Sequence, residues 1–442
     1  MPGANRRRFL SQFLGGATAA ALAPETLLAK GLGLTGAGKG QASSPSERIP
    51  LPHPAQASPT DEAYWRRVQD QFPLAHGLIL MNAANLCPSP YPVQNAVFRH
   101  TRDVDRDASF QNREKFADLK EEAREALAAY VGAGSQEIGI TRNTSEGNNT
   151  VVNGLDLGPG DEVVLWDQNH PTNNVSWDVR ARRRGFRVRR VSTPSGAEAR
   201  PETLMAPFQE ALSSATRVLA FSHISNISGT ALPAARLCAM ARDRGILTLV
   251  DGAQTFGALR LDLSAMGCDF FTASSHKWFV GPKEAGILFV RESSQNRLWP
   301  SHVGVGWETA QASGARKFEN MGQRDDAAVV SMATAAAFHQ AIGPEAVEAR
   351  VRALAEAVRN GLSERIPGVR IFTPESKAGS GGVVVFRLRG TDHDQLFQSL
   401  YARHGIGCAA MHGLFSGLRL SPHIYNTMAQ VEEALEALVA HA

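Results

Sequence analysis

The sequence has few cysteines, and their spacing excludes the usual metal and redox motifs. Only four occur in 442 residues, and no two are arranged as CxxC. We interpret them as single packed thiols, although an oxidising compartment would permit a disulfide. Four cysteines allow three complete pairings, among which the sequence does not choose. The four are Cys87, Cys238, Cys268 and Cys408.

A large charge of one sign is also absent. The formal net charge is +3 at pH 7, which gives no reason to expect a nucleic-acid partner. The most basic run, RARRRGFRVRR at residues 180–190, is interpreted as a solvated helix end that leads into a strand, rather than as a polyanion site. A hydrophobic fraction of 43% and a charged fraction of 20% are typical of a soluble protein with a sizeable core.

The N-terminus lacks an apolar run long enough to be a firm membrane anchor. NRRRFL at residues 5–10 precedes a short Ala- and Gly-rich stretch, which is typical of a bacterial signal peptide. The pair Arg6-Arg7 resembles the twin-arginine (Tat) type, although Ser11 stands where lysine is common. We predict a Tat signal peptide in residues 1–30, cleaved on export to the periplasm by the Tat translocase. Residues 31–60 are predicted to be a flexible linker. The alternative is a basic, disordered tail.

From about residue 61, apolar runs of strand length alternate with amphipathic helical segments. Unbroken apolar strands separated by helices predict an α/β fold with a mostly parallel sheet covered on both faces. After about residue 300, Ala-rich helical stretches and short turns predict a smaller α+β lobe. We therefore predict a large domain at 61–300 and a small C-terminal domain at 301–442, to which the N-terminal segment also contributes. The predicted strands are 137–141, 161–166, 217–224, 246–253, 269–274 and 285–290.

Two polar residues follow predicted strands directly, where ligands of open α/β sheets bind. Lys277, in SSHK, comes just beyond a buried strand, and desolvation makes such an amine nucleophilic toward an aldehyde. Taken alone, it is more simply a surface lysine. Asp251 ends another strand, and its carboxylate suits a protonated pyridine nitrogen. A helix N-cap is the alternative role for this aspartate.

Three further sequence features give weaker evidence for a binding site. Thr144 and Ser145 follow a strand and begin a helical segment, where hydroxyl and backbone N–H groups can hold a phosphate. Gln254 is placed to hydrogen-bond a ring hydroxyl. His170 also follows a strand and would lay its ring on a pyridine face, although a lone histidine there is more often structural.

Together these elements resemble the class V aminotransferase family of pyridoxal-phosphate (PLP) enzymes, which includes cysteine desulfurases and isopenicillin N epimerase. The resemblance runs from about Asn82 to Asn426. The ordered pair VDGAQ and SHK is its most specific part. The other matching segments are TRNTSEGNN, SHISNISGTALP, AGILFVR and RLSPHIYNT.

The resemblance implies PLP-dependent transferase fold type I, with PLP as the cofactor and Lys277 as its Schiff-base lysine. It also implies a homodimer in which a Gly-Thr pair of the second subunit reaches the phosphate. Gln323 replaces that threonine here, which departs from the family pattern, and its amide can still donate a hydrogen bond. The remaining implied roles are Asp251 at the pyridine nitrogen, Gln254 at the ring hydroxyl, His170 stacked on the ring, Asn226 near the ring, Thr144, Ser145, Ser274 and His276 at the phosphate, and Arg419 on the substrate carboxylate.

The reaction is less specified than the cofactor, because one fold supports many reactions. Desulfurases carry a reactive cysteine in a loop before the carboxylate arginine; here His412 and Gly413 occupy that loop, and Cys408 aligns with the preceding strand. Export favours an amino-acid or peptide substrate, as in the similar periplasmic enzyme of pyoverdine maturation. We expect tailoring of a secreted peptide such as a siderophore, by transamination or oxidative decarboxylation. The alternatives are an epimerase, a C–S lyase or an inactive binding protein.

Overall fold

The computed structural model describes residues 58–441. The predicted signal peptide, and all but the last three residues of the predicted linker, lie outside the described residues. Between residues 58 and 441, no helix is long and apolar enough to cross a membrane.

Thirteen strands form three sheets in the described part of the chain. Those of the large sheet are β2 (Ile138–Thr141), β3 (Glu162–Trp166), β4 (Arg187–Val191), β5 (Thr216–Ser222), β6 (Leu247–Asp251), β7 (Phe270–Ser274) and β8 (Gly286–Val290). The smaller sheets contain β1 (Ile79–Leu80), β9 (Arg370–Ile371), β10 (Val384–Arg387), β11 (Ile406–Gly407), β12 (Ala409–Met411) and β13 (Gly417–Leu420).

The α-helices number fifteen over the same residues. Those up to the end of the large sheet are α1 (Glu62–Gln69), α2 (Tyr91–Arg106), α3 (Phe110–Arg113), α4 (Lys115–Val131), α5 (Thr144–Gly154), α6 (Pro171–Arg184), α7 (Pro201–Ala211), α8 (Ala234–Arg242) and α9 (Leu263–Met266). The later helices are α10 (Trp307–Ala310), α11 (Asp326–Val330), α12 (Met332–Ile342), α13 (Pro344–Arg365), α14 (His393–His404) and α15 (Met428–Val439).

The large sheet has seven strands in the order β2-β8-β7-β6-β5-β3-β4. Strand β8 alone runs opposite to the other six strands, so the sheet is mostly parallel, as predicted. Successive side chains of a strand point to opposite faces. Leu249 and Phe270 pack in one apolar cluster, while Val250 and Phe271 pack in another. Both faces are therefore covered, which explains why these strands lack polar alternation.

The C-terminal part has its own antiparallel sheet, in the order β12-β13-β10-β9. Helices α13, α14 and α15 contribute side chains to the apolar cluster on this sheet. Strand β1 pairs in parallel with β11, so the segment before the large sheet joins the C-terminal part. Helices α11 and α12 pack on α4 instead, and they contribute Val329 and Met332 to a core of the large sheet. The smaller α+β lobe is thus confirmed, while the exact domain limits stay a prediction.

The arginine-rich run at residues 180–190 has the predicted conformation. Helix α6 ends at Arg184, and Gly185 follows with φ 82°, a left-handed conformation that glycine adopts without strain. Strand β4 then begins at Arg187 on the edge of the sheet. Charged side chains on an edge strand hinder pairing with a second sheet. The run is therefore explained by the fold.

A buried ion pair ties the segment after β8 to the large sheet. Arg124 on α4 is fully buried, and its Nη2 lies 2.7 Å from Oε1 of Glu319. The same carboxylate accepts a hydrogen bond from the backbone N–H of Ile140 on β2. Burial alone would raise the pKa of Glu319, but the Arg124 guanidinium outweighs it and holds the pKa below its usual value. The folded state therefore keeps this carboxylate ionised.

We expect Glu319→Gln to lower the free energy of unfolding by about 3 kcal/mol, because the buried guanidinium loses its buried charged partner and keeps only the more exposed Glu121. The exposed pair Arg190–Asp178 provides the control, since Asp178→Asn should cost less than about 1 kcal/mol. Urea denaturation measures both. The wild-type advantage should be present above the ordinary glutamate pKa and disappear as the pH falls through the lower folded value. Equal losses in the two variants would contradict this.

Candidate active site

The carboxyl ends of three parallel strands meet at one edge of the large sheet. Ser222 on β5 pairs with Asp251 on β6, which pairs with Thr272 on β7. A pocket of about 250 Å³ opens beside them. It is lined by the predicted residues Thr144, Ser145, His170, Asn226, Asp251, Gln254, Ser274, His276 and Lys277. It is also lined by Asn85, Asn143, Asn148, Thr172, Ser222, Ile224 and Ala253, which the sequence reasoning did not single out.

The Asp251 carboxylate is buried and held in place by two hydrogen bonds. Its Oδ1 accepts from the backbone N–H of Ala253 at 3.0 Å, and its Oδ2 accepts from Nδ2 of Asn148 at 2.9 Å. The other end of the Asn148 amide accepts from the Thr272 hydroxyl at 2.6 Å. Asn148 is thereby oriented from both ends. The carboxylate accordingly has a fixed direction within the pocket.

Asn148 was missed because a polar residue inside a helix usually faces solvent. It lies four residues after Thr144, so both are on the same face of α5. Gly147 lets this face approach the sheet, because a Cβ there would lie 2.8 Å from Cγ2 of Thr272. The combination of an i, i+4 polar pair with a glycine beside it is the sequence signal from which this contact could have been predicted.

Lys277 lies just beyond β7, in the same pocket as Asp251. Burial lowers the pKa of the Lys277 amine to about 8, an effect that Asp251 opposes and Arg419 reinforces. Over residues 58–441 the two side chains form no salt bridge, although their charges attract. A substantial fraction of the amine is therefore neutral at mildly alkaline pH, which is the nucleophilic form.

The start of α5 and the end of β7 form a donor-rich cluster. The backbone N–H of Thr144 donates to the Ser274 hydroxyl at 2.8 Å, and the two hydroxyls lie 2.7 Å apart. Whichever hydroxyl donates to the other, one hydroxyl hydrogen remains for a ligand. Ser145 is exposed at the same helix start, where the helix dipole favours an anion. Nδ1 of His276 is buried and, among the described residues, has no partner.

His170 and Gln254 are oriented by their neighbours. Both the N–H and the hydroxyl of Thr172 point at Nδ1 of His170, so its ring hydrogen lies on Nε2. Burial lowers the pKa of His170, which keeps the ring neutral. Gln254 donates to the Ala84 carbonyl at 3.0 Å and accepts from the Trp278 indole at 2.8 Å. An amide has two N–H groups, so one remains for a ligand.

Arg419 on β13 is buried and lies next to the pocket. It donates to the Asn226 carbonyl at 3.1 Å and to Oδ1 of Asn82 at 3.0 Å. Its Nε is buried and makes no hydrogen bond within the described chain. Burial lowers the pKa of Arg419 to about 10, so the side chain is still a cation at neutral pH. An anchored guanidinium with unused N–H groups is suited to bind a carboxylate.

Gln323 does not line this pocket. It is exposed and bonds to Arg113 and Asp326 of the same chain. A contact with the phosphate would have to be made in a second subunit, and this part of the prediction stays a prediction.

All four cysteines are buried and unpaired. Burial raises the pKa of the Cys408 thiol to about 12, which removes its nucleophilic form at neutral pH. The loop between β12 and β13, residues 412–416, contains no cysteine. The arrangement described for desulfurases is therefore not built here.

Comparison with known proteins identifies the family. The model of the class V aminotransferases matches residues 95–434. The chain is 32% identical to isopenicillin N epimerase of Amycolatopsis lactamdurans over 390 residues, which are 85% of this chain and 98% of the epimerase. The chain belongs to the class V aminotransferase family. It is also 27% identical to a probable cysteine desulfurase of Methanothermobacter thermautotrophicus, over 84% of this chain and 96% of that protein.

The backbone of this class V protein is similar to that of C-DES, solved as a lysine-to-alanine variant with glycine covalently linked to its PLP cofactor. The TM-score is 0.77 at 24% sequence identity, and the match covers 85% of this chain and 99% of C-DES. The predicted fold type I is confirmed. The protein is a PLP-dependent enzyme, and PLP is its cofactor, as predicted.

The pocket of this class V enzyme has the groups that PLP requires. The hydroxyls of Thr144 and Ser274 offer an unused donor for a phosphate, and Nδ1 of His276 lies beside them without a partner in the described chain. One helical turn away, about 6 Å along α5, Asn148 holds the Asp251 carboxylate, which suits a ring N–H. The amine of Lys277 faces the same space without pairing to that carboxylate. Bound PLP supplies an electron sink for bonds at the α-carbon of an amino acid.

We expect Asn148→Ala to weaken catalysis roughly tenfold, because the Asp251 carboxylate loses one of its two fixed donors. Asn149→Ala is the matched control, since the neighbouring amide is exposed and bonds only within its helix. Steady-state kinetics and PLP titration by absorbance measure the effect. Equal activity in both variants, at full PLP occupancy, would show that the orientation of Asp251 does not depend on Asn148.

Proposed function

We propose that this class V enzyme modifies an amino-acid group of a secreted peptide natural product, such as a siderophore, in the periplasm. The single observation that carries the substrate class is the placement of Arg419 beside the pocket of Lys277. An anchored guanidinium next to a nucleophilic amine matches a substrate with a free carboxylate and a free amino group on one carbon. The twin-arginine pattern at residues 6–7 supports the periplasmic location.

The chain's own residues divide the task. Arg419 binds the substrate carboxylate through its unused N–H groups, which fixes the direction of the α-carbon. Lys277, partly neutral because of its burial, accepts or returns the α-proton at Nζ. Asp251, oriented by Asn148 and by the backbone N–H of Ala253, would accept a hydrogen bond from the ring nitrogen of the cofactor. His170 is neutral and offers an apolar ring face for packing.

The reaction is proposed to be of the transamination or oxidative-decarboxylation type. In transamination the amino group passes to an oxo acid. In oxidative decarboxylation carbon dioxide leaves and dioxygen accepts the electrons. A homodimer that contributes Gln323 to the phosphate site is part of the same proposal.

Epimerisation is the second candidate, favoured by the 32% identity to an isopenicillin N epimerase over nearly its whole length. Inversion at the α-carbon needs proton exchange on both faces. Lys277 is one acid–base group, and the neutral imidazole of His170 in the same pocket is a second. A C–S lyase uses the same proton removal, followed by loss of sulfur. An inactive binding protein is disfavoured, because Lys277, Asp251 and Arg419 are all present at the pocket.

Mass spectrometry of products formed in deuterium oxide distinguishes these reactions. With PLP-loaded enzyme and a siderophore precursor peptide, we expect the amine replaced by a carbonyl oxygen, or loss of the carboxyl group. Gain of one deuterium with inverted configuration would support the epimerase instead, and release of sulfide a C–S lyase. Arg419→Gln should abolish turnover, whereas Arg389→Gln, at an exposed position of the same lobe, should not. An unchanged peptide would contradict the proposed substrate.

The proposed location has its own test. We expect the full-length chain to be found in the periplasmic fraction of a Tat-competent bacterium, and the double variant Arg6→Lys, Arg7→Lys to stay in the cytoplasm with intact activity. Immunoblotting of cell fractions measures the distribution. Export of both forms by the same cell would contradict the Tat interpretation.

A further inference from the structure

The loop that follows Lys277 has a strained backbone. Val280 has φ 48°, the only positive value for a non-glycine residue in the described chain. A β-branched side chain rarely adopts this conformation, because its Cβ crowds the backbone. Two backbone hydrogen bonds close the loop, from Val280 N–H to the Lys277 carbonyl and from Gly281 N–H to the Ser275 carbonyl. Such strain persists only where the surroundings enforce it.

Two buried histidines bond to the backbone of this loop. Nε2 of His423 lies 2.7 Å from the Trp278 carbonyl, and Nε2 of His339 lies 3.1 Å from the Phe279 carbonyl. A carbonyl oxygen can only accept, so each Nε2 must carry the ring hydrogen. Burial lowers the pKa of His423 to about 3 and that of His339 to about 4. Both rings are therefore neutral donors over the physiological range.

The orientation of each ring is fixed by the residue whose carbonyl it holds. His339 stacks on Phe279 with centroids 5.2 Å apart and an interplanar angle of 3°. Phe279 stacks in turn on Phe256, at 4.1 Å. His423 meets Trp278 edge-on at 5.1 Å. Each histidine thus contacts both the side chain and the backbone of one loop residue.

The loop that follows Lys277 also has little room to move, because it packs closely against another segment. Gly257 packs directly against it, since a Cβ on Gly257 would lie 2.3 Å from the backbone N of Phe279. The Trp278 indole also donates to Gln254, which lines the pocket. A shift of the backbone at Trp278 would therefore displace a wall of the pocket and the amine of Lys277 together.

We propose that His339 and His423 position the amine of Lys277, because their hydrogen bonds hold the two main-chain carbonyls that follow it. The two are positioning residues and not catalytic residues, since neither lines the pocket. They come from α12 and from the segment after β13, so they join the loop to two other parts of the chain. The inference rests on the assignment of Lys277 as the reactive amine.

The test measures the reactivity of Lys277 in the full-length chain after removal of the cofactor. Reductive methylation with formaldehyde and cyanoborohydride as the hydride donor is followed on the Lys277 peptide by mass spectrometry, as a function of pH. This readout needs neither bound PLP nor a substrate, so it does not depend on the proposed reaction. The wild-type amine should react with a pKa of about 8. Circular dichroism and thermal unfolding report the fold of each variant.

The variants distinguish the effect of the donated hydrogen bond on Lys277 from the effect of ring packing. His339→Phe keeps a stacking ring without a donor, and His423→Leu fills similar space without one. We expect both to shift the profile of Lys277 toward the ordinary lysine pKa of 10.5, with labelling at pH 8 slowed at least roughly tenfold, because the released amine becomes better solvated. His339→Gln and His423→Gln place an amide N–H at the position of Nε2 and should keep the wild-type profile.

Thr216→Val is the control for general loss of stability. It removes a buried hydrogen bond to Glu162 at the start of β5, roughly 20 Å along the strand from the pocket edge. It should lower the unfolding temperature and leave the Lys277 profile unchanged. Folded donor-less variants with a wild-type profile would overturn the proposal. If those variants do not fold, the glutamine variants decide, since a shifted profile in them would show that the rings act by packing alone.

Discussion

A carboxylate and an amine of opposite charge lie in one pocket of this enzyme without pairing, and the site depends on this separation. Asp251 would gain by closing on Lys277, but Asn148 and the backbone of Ala253 hold its two oxygens. The energy that a salt bridge would provide is replaced by hydrogen bonds from fixed neutral donors. The space between the two groups is thereby kept for a ring that needs both of them.

This separation follows from elements that are far apart in the chain. Asn148 reaches the sheet only because Gly147 removes the side chain that would meet Thr272. Lys277 keeps its place through a loop whose strain at Val280 is balanced by contacts from the C-terminal half. The parallel sheet brings the strand ends to one edge, and the supporting contacts then fix the directions of individual side chains. Both lobes contribute residues to the site, because Arg419 lies on the smaller sheet.

The sequence was sufficient to predict the sheet and the residues at its carboxyl edge. Buried parallel strands are visible as unbroken apolar runs, so Asp251 and Lys277 could be placed at strand ends, while their roles came from the family resemblance. Their supporting residues could not. Asn148 resembles a solvated helix residue, and His423 approaches Trp278 across 145 positions of the sequence. The Asn148 contact depends on how closely α5 approaches the sheet, and the His423 contact depends on packing between lobes, so a strand pattern reveals neither. Gln323 is a different case, because its predicted partner lies in a second subunit.

Which reaction occurs then depends on the residues around a site that all of these reactions share. Lys277, Asp251 and Arg419 serve any reaction that begins by breaking a bond at the α-carbon, so they do not separate transamination from epimerisation. The loop at residues 412–416 does distinguish these two reactions from sulfur transfer through an enzyme thiol. It carries His412, whose side chain is 75% exposed, and no thiol, while Cys408 is buried with a raised pKa. Sulfur transfer needs a mobile thiolate at the substrate. The loop instead offers a solvated imidazole, so a thiol that could take up sulfur from a substrate is missing from this part of the described chain.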